Sequence, residues 1–348
     1  MRKSSQRIPP KIYSWNTIPF SNVQYWFIKT KCLWATVRLW LRRQKNGSMN
    51  NRSWALLAAG GATAIYGLNH TIAKVVMPQY VGAFGFIFIR TAGAGILFWL
   101  LSFFLKSEKI ERVDYLRVFL AALMGMCINM LSFFKGLELS TPVNSGIFAT
   151  TNPILILLLS YLFLNEKIGM KKFLGITLGF AGAMILVLYG TQNTSSAPDV
   201  LLGNIFFIIN SIFFSGFIIV VKPLTEKYNT VTIMKWLFLI GFVLTFPVTW
   251  GEYVQVDWIN MPFDVLWRVT FVVLGTTFLT YLLNLYALKN LQASTVGAFA
   301  YPQPIIAIGY AVYTGNDTLD GVKLVACLMI MTGVYLVSKK PLRLQSKD

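Results

Sequence analysis

Carboxylates are scarce in this chain: 13 Asp and Glu stand against 31 Lys and Arg in 348 residues. None of the 13 falls in the middle of a long apolar run, so a buried carboxylate relay for protons or sodium has no obvious carrier. Charge of either sign is also rare, at 13% against about 25% in soluble domains. Three cysteines, Cys32, Cys127 and Cys327, are too few and too scattered for a disulfide framework or a metal site. No Gly-rich phosphate loop followed by Lys occurs, which removes the usual sign of nucleotide hydrolysis. The ten-residue polar/apolar alternation of a membrane β-barrel is missing too. Nothing in these absences calls for a cofactor or a metal.

What the chain has in abundance is apolar length. Hydrophobic residues make up 55% and the mean hydropathy is +0.60. They lie in blocks of roughly 20, enough at 1.5 Å per residue to cross a ~30 Å hydrocarbon layer. Ten spans are expected near 54–74, 82–105, 115–137, 142–164, 173–190, 201–222, 232–250, 266–288, 293–313 and 320–338. The connections are short, the longest around 190–200 and 251–265, and leave no room for a soluble domain.

The net charge of +18 does not indicate nucleic acid, because of where the charges sit. Residues 1–48 hold ten Lys or Arg and no acidic residue. Beyond that tail, fifteen Lys and Arg fall on one side of the ten-span arrangement and four (Lys74, Lys135, Arg268 and Lys323) on the other. The positive-inside rule then puts both termini in the cytoplasm of a multi-pass protein of the plasma or inner membrane. The tail, 1–53, carries Trp15, Trp26, Trp34 and Trp40 without the apolar core and cleavage site of a signal peptide. It reads either as a segment lying on anionic lipid or, better, as residues ahead of a true start at Met49, and it is expected to be disordered. A short cytoplasmic tail, 339–348, ends the chain.

Shifting the sequence by 151 positions lays 137–187 on 288–338 without a gap. Gly146/Gly297, Phe148/Phe299, Pro153/Pro304, Asn165/Asn316 and Gly182/Gly333 coincide. Two repeats follow, 54–190 and 191–338, of five spans each. An odd number of spans forces the second repeat to insert upside down. The fold class expected is therefore an all-α membrane protein with ten transmembrane helices as two inverted five-helix repeats. That is the architecture of secondary transporters, with the substrate near the midplane between the halves.

Polar groups inside the spans need a reason. Arg90 lies within the second span, where a charge costs about 2.5–3.5 kcal/mol on insertion scales; it could anchor a carboxylate or phosphate bidentately, or bond backbone carbonyls. Asn69, Asn129, Asn144, Asn210 and Asn284 need partners or line a path. Asn152-Pro153 and Tyr301-Pro302-Gln303-Pro304 occupy equivalent places in the two halves. Pro153, Pro302 and Pro304 there would kink or break the helices, with Thr150, Thr151, Tyr301 and Gln303 beside them. His70 lies close to the outer end of its span, and Lys135 and Glu138 are placed to pair at i, i+3.

The runs Phe133-Phe134-Lys135-Gly136-Leu137, Thr141-Pro142-Val143-Asn144, Asn152-Pro153-Ile154 and Leu164-Asn165-Glu166-Lys167 resemble the EamA domain of the drug/metabolite transporter superfamily. Tyr286-Ala287-Leu288-Lys289 and Gln303-Pro304-Ile305 echo it in the second half. The likeness covers about 54–338. It implies a ten-helix carrier with a central cavity, often an exporter of amino acids or related metabolites, and so a secondary transporter working by alternating access rather than an enzyme. The partners implied are a small-molecule substrate and the lipid bilayer, with a homodimer left open and no nucleic acid. Gly315-Asn316-Asp317 departs from the family's Asn-Glu. The competing readings are a membrane-embedded transferase, for which Asp317 and Asp320 have the spacing to hold Mg²⁺, and a non-transporting sensor.

Overall fold

A computed structural model describes residues 51–77, 79–105, 108–140, 142–189, 198–313 and 321–339. The basic N-terminal tail, residues 340–348, Asp317 and Asp320, and the side chain of His70 lie outside the described residues. Among those described, every regular element is helical. In chain order they are α1 (Asn51–Val76), α2 (Ala83–Ser102), α3 (Arg112–Leu139), α4 (Pro142–Ala149), α5 (Asn152–Leu164) and α6 (Met170–Tyr189). There follow α7 (Val200–Lys227), α8 (Thr230–Val254), α9 (Phe263–Asn290), α10 (Ala293–Ala298), α11 (Gln303–Tyr313) and α12 (Gly321–Ser338).

Six of them, α2, α3, α7, α8, α9 and α12, are long and apolar enough to cross a membrane. Their outward faces carry large exposed apolar side chains, among them Ile96, Leu116, Leu201, Ile212, Val243, Leu274 and Leu328. Apolar surface on this scale suits a lipid solvent and not water. In lipid every backbone N–H and C=O must pair within the protein, which a helix does on its own.

Packing between helices relies on small residues where backbones meet. The α6–α12 contact brings Gly175 and Gly179 against Gly333: a Cβ on Gly333 would lie 2.5 Å from the Gly175 carbonyl oxygen. The α2–α8 contact is aromatic, with Phe88 stacked on Tyr253 at 4.1 Å and Phe98 against Phe238 at 5.3 Å. At the end of that pair the Glu252 carboxylate accepts from Phe84 N (2.8 Å) and Gly85 N (3.0 Å). It thus satisfies two N–H groups of the first turn of α2 and sits at the positive end of its dipole. Gly82 is glycine because any Cβ there meets that carboxylate.

The ends of the bundle are held by polar contacts. Asp114, buried at the start of α3, accepts from Lys227 Nζ (2.9 Å) and Tyr228 Oη (2.8 Å) at the end of α7. Lys135 and Glu138 pair at 3.0 Å.

Among the described residues two kinds of irregularity interrupt the helices, and both occur twice. α3 widens to π-helical turns over Leu123–Ile128, and α9 does so over Val272–Leu279. The chain also breaks at Thr150–Thr151, between α4 and α5, and at Phe299–Pro302, between α10 and α11. The 151-residue shift brings each pair into register. Pro153 and Pro304 therefore do not bend continuous helices. They occupy the second positions of α5 and α11, and Pro302 directly precedes α11. In the first turn of a helix the missing N–H of proline has no intrahelical acceptor to lose.

Gly333→Leu forces the α6 and α12 backbones apart and lowers the thermal midpoint in detergent, by an overpacking cost of about 1–3 kcal/mol or more. Gly251→Ala, in an open helical position with nothing within 4 Å of the new Cβ, leaves the midpoint unchanged or raises it.

Candidate functional site

Where the broken segments converge, a cavity of about 140 Å³ opens inside the bundle. That is many times the ~10–15 Å³ needed for one water. Each wall comes from a different helix. α1 contributes Thr63, Tyr66 and Asn69, α2 contributes Arg90, and α3 contributes Asn129, Phe133 and Phe134. Asn152 and Ile156 come from α5, Asn210 and Phe214 from α7, and Tyr281 and Asn284 from α9. Val296, Phe299, Ala300 and Gln303 close it along the α10–α11 break.

Of the residues singled out in the sequence, Arg90, Asn69, Asn129, Asn152, Asn210, Asn284 and Gln303 meet at this cavity, although they are up to 234 positions apart in the chain. Asn144, Thr150, Thr151 and Tyr301 do not line it. The Asn144 amide donates to Ser140 Oγ (3.1 Å), which donates to Asn204 Oδ1 (3.0 Å), tying α3, α4 and α7 together. Thr150 bonds Met184 Sδ at 3.5 Å, and Thr151 Oγ1 bonds its own turn at Phe148 O. Tyr301 is fully buried and packs on Gly179, where a Cβ would lie 2.6 Å from its ring. Thr63, Tyr66 and Tyr281 line the cavity without having been marked in the sequence. Single hydroxyls in apolar helices are common, and only the fold turns these three inward.

Arg90 is 5% exposed and forms no ion pair among the described residues. Its Cζ lies 4.7 Å from the centre of the Phe134 ring, its Nε has no hydrogen-bond acceptor, and its polar neighbours are the uncharged hydroxyls of Tyr66 and Tyr281. The Asn69 and Asn152 side-chain oxygens are also buried without donors. Asn210 is satisfied, donating to the Asn129 carbonyl at 3.0 Å. Tyr66 lies beside the side chains of Thr280 and Asn284.

The breaks are bonded crosswise. Thr63 Oγ1, on α1, shares its proton between Ala59 O (2.8 Å) and Phe299 O (2.7 Å) at the break of the second repeat. Ser211 Oγ, on α7, donates to Phe148 O (3.1 Å) at the break of the first. Phe148 O also accepts from Thr151 N at 3.0 Å.

Next to the cavity, α10 begins in a buried polar cluster. Lys172 Nζ donates to Gln292 Oε1 (2.7 Å), Ser294 Oγ (2.5 Å) and Glu166 Oε2 (3.4 Å). Glu166 accepts from Ala293 N (2.7 Å) and from Ser294 Oγ. The connection between α5 and α6 is thereby latched to the first turn of α10, two residues from cavity-lining Val296.

A family model described as the EamA-like transporter family matches residues 53–188 and again 201–339. The chain is 24% identical over 285 residues to the uncharacterized transporter YetK of Bacillus subtilis (strain 168), covering 81% of this chain and 86% of that protein. It is 25% identical over 313 residues to an uncharacterized transporter of Methanothermobacter thermautotrophicus, covering 84% and 88%. A protein of known crystal structure superposes with a TM-score of 0.66 at 16% identity, over 82% of this chain and 96% of that one.

Two stability predictions follow from the geometry. Thr63→Val leaves the Phe299 carbonyl without its hydroxyl and costs about 1–3 kcal/mol in thermal unfolding; Thr63→Ser restores it, and Ser211→Ala costs less because Phe148 O keeps Thr151. Glu166→Leu strands the Lys172 ammonium and destabilises by about 3–5 kcal/mol, while Glu166→Leu with Lys172→Met recovers much of that loss, measured as a double-mutant cycle.

Proposed function

The chain belongs to the EamA-like transporter family, and on that premise we propose that it is a secondary transporter exporting amino acids or other small metabolites by alternating access. It is a multi-pass membrane protein. Our reading of its architecture is ten spans, with α4–α5 and α10–α11 each counting as one broken span and the two repeats inverted. The doubled family match and the two irregularities recurring at a 151-residue interval support that reading. The distribution of Lys and Arg supports a cell-membrane location with cytoplasmic termini.

One observation carries the proposal: a polar cavity, walled by both repeats, lies against the broken helices of both. Broken spans at matching places are where carriers of this build hold cargo, since a half-helix end offers backbone groups that a continuous helix keeps to itself. The crosswise bonds of Thr63 and Ser211 mean that moving one repeat is felt at the break of the other. The latch of Glu166 and Lys172 on Ser294 suits a gate that must open for cargo to pass on that side.

The test is solute counterflow in proteoliposomes, with amino acids and other small metabolites as cargo. Wild-type protein gives saturable flux, and Ala300→Phe, which fills the cavity, reduces it at least about tenfold while the thermal midpoint shows a folded protein. Equal flux from wild type and Ala300→Phe, or none from inserted wild type for any class, removes the carrier reading.

A further inference from the structure

The cavity has a charge that no acidic side chain among the described residues balances. Arg90 sits at the eighth position of the 20-residue helix α2 with both neighbouring turns buried. Every other polar group on the wall is neutral: the amides of Asn69, Asn129, Asn152, Asn210, Asn284 and Gln303, and the hydroxyls of Thr63, Tyr66 and Tyr281. Among the described residues no Asp or Glu lines the cavity. A buried ion left without a partner is strongly destabilising, whereas a paired one is tolerated. A guanidinium Nε that lacks an acceptor and two amide oxygens that lack donors, all from residues lining one cavity, are an incomplete hydrogen-bond set. The remainder of the wall is apolar, with Phe133, Phe134, Phe214, Phe299, Ile156 and Ile218.

Building on the carrier reading above, we infer that the cargo is a small organic monoanion: a carboxylate that seats on Arg90, attached to an apolar body that lies along the phenyl walls. The planar guanidinium matches a carboxylate in shape as well as charge, and the pair is stronger in a site shielded from water. One cation sets the preferred charge at one. A second negative charge would find no counter-ion, and an ammonium group would find no carboxylate. The face of Phe134, one aromatic surface that could receive a cation, is already occupied by Arg90 itself. The unfilled oxygens of Asn69 and Asn152 are acceptors, so they add a place for one neutral donor on the body, such as a hydroxyl or amide N–H. Zwitterionic amino acids are consequently poorer cargo than the corresponding acids without an amine.

The experiment compares molecules that share a body and differ in charge: 3-phenylpropanoate, 3-phenylpropanamide, 3-phenylpropylammonium and phenylalanine, and separately hexanoate, hexanamide and hexylammonium. Binding is read as the shift of the thermal midpoint with concentration, and transport as counterflow in proteoliposomes. The carboxylate of at least one set binds about tenfold or more tightly than its amide and its ammonium, as a charge-assisted bond requires. Arg90→Gln erases that preference, and Arg90→Lys, which keeps the charge and loses the fork, retains part of it. The wild-type series stands alone if the variants do not fold. An amide, an ammonium or phenylalanine that matches the carboxylate overturns the charge assignment and leaves the carrier reading in place. Binding of none of the seven also overturns it, and the carrier reading then rests on the Ala300→Phe flux comparison alone.

Discussion

The governing constraint on this molecule is that its backbone has no water to fall back on. In hydrocarbon an unpaired N–H or C=O costs several kcal/mol, so the chain stays helical wherever it faces lipid. Two places where it leaves the helix altogether, the breaks at Thr150–Thr151 and Phe299–Pro302, lie against the cavity, flanked by its lining residues Ala149, Asn152, Phe299 and Gln303. At both breaks side chains take over what the helix no longer provides. The hydroxyls of Thr63 and Ser211 do this for the carbonyls of Phe299 and Phe148, each reaching from one repeat into the other. Site and scaffold are in this sense one solution to a single hydrogen-bonding problem.

Charge obeys the same constraint. Among the described acidic residues, Asp114, Glu166 and Glu252 are each held by several donors at the ends of helices, and none is spent on the interior wall. Arg90 is the exception, deep and unpaired. Neutral amides around it orient without adding charge, which keeps the demand for a negative partner undiminished.

Much of this was legible in the sequence, and the reasons are physical. Apolar runs of about 20 residues, Arg90 within one of them, and Asn-Pro or Gln-Pro at matching places in two repeats are local signals, and they led to seven residues of the cavity wall. The prolines marked the discontinuities, but whether proline bends a helix or begins a new one depends on the carbonyls around it, which only the fold supplies. Other features leave no local trace. Thr63, Tyr66 and Tyr281 are ordinary residues of apolar helices until rotation aims them inward. Lys172 and Ser294 are 122 positions apart, so their contact cannot be read from spacing. Conversely, Asn144, Thr150 and Tyr301 are polar residues of the right segments that face neighbouring helices instead, and Thr151 bonds its own turn.

The threonines of the long helices have a further effect. Thr91, Thr245, Thr249, Thr276 and Thr280 each donate to the carbonyl four residues earlier in their own helix. Their hydroxyls are largely spent locally, Thr280 beside Tyr66 of α1 being the exception, and the α2–α8 and α6–α12 contacts are made by aromatic and small side chains instead. Interfaces of that kind slide with little friction: a shift of one helix along another exchanges one set of dispersion contacts for a similar set and unpairs no polar group. Resistance to motion is concentrated in polar fastenings at the ends, at the breaks and at the bond from Asn210 to the Asn129 carbonyl, leaving the aromatic and small-residue contacts as bearing surface.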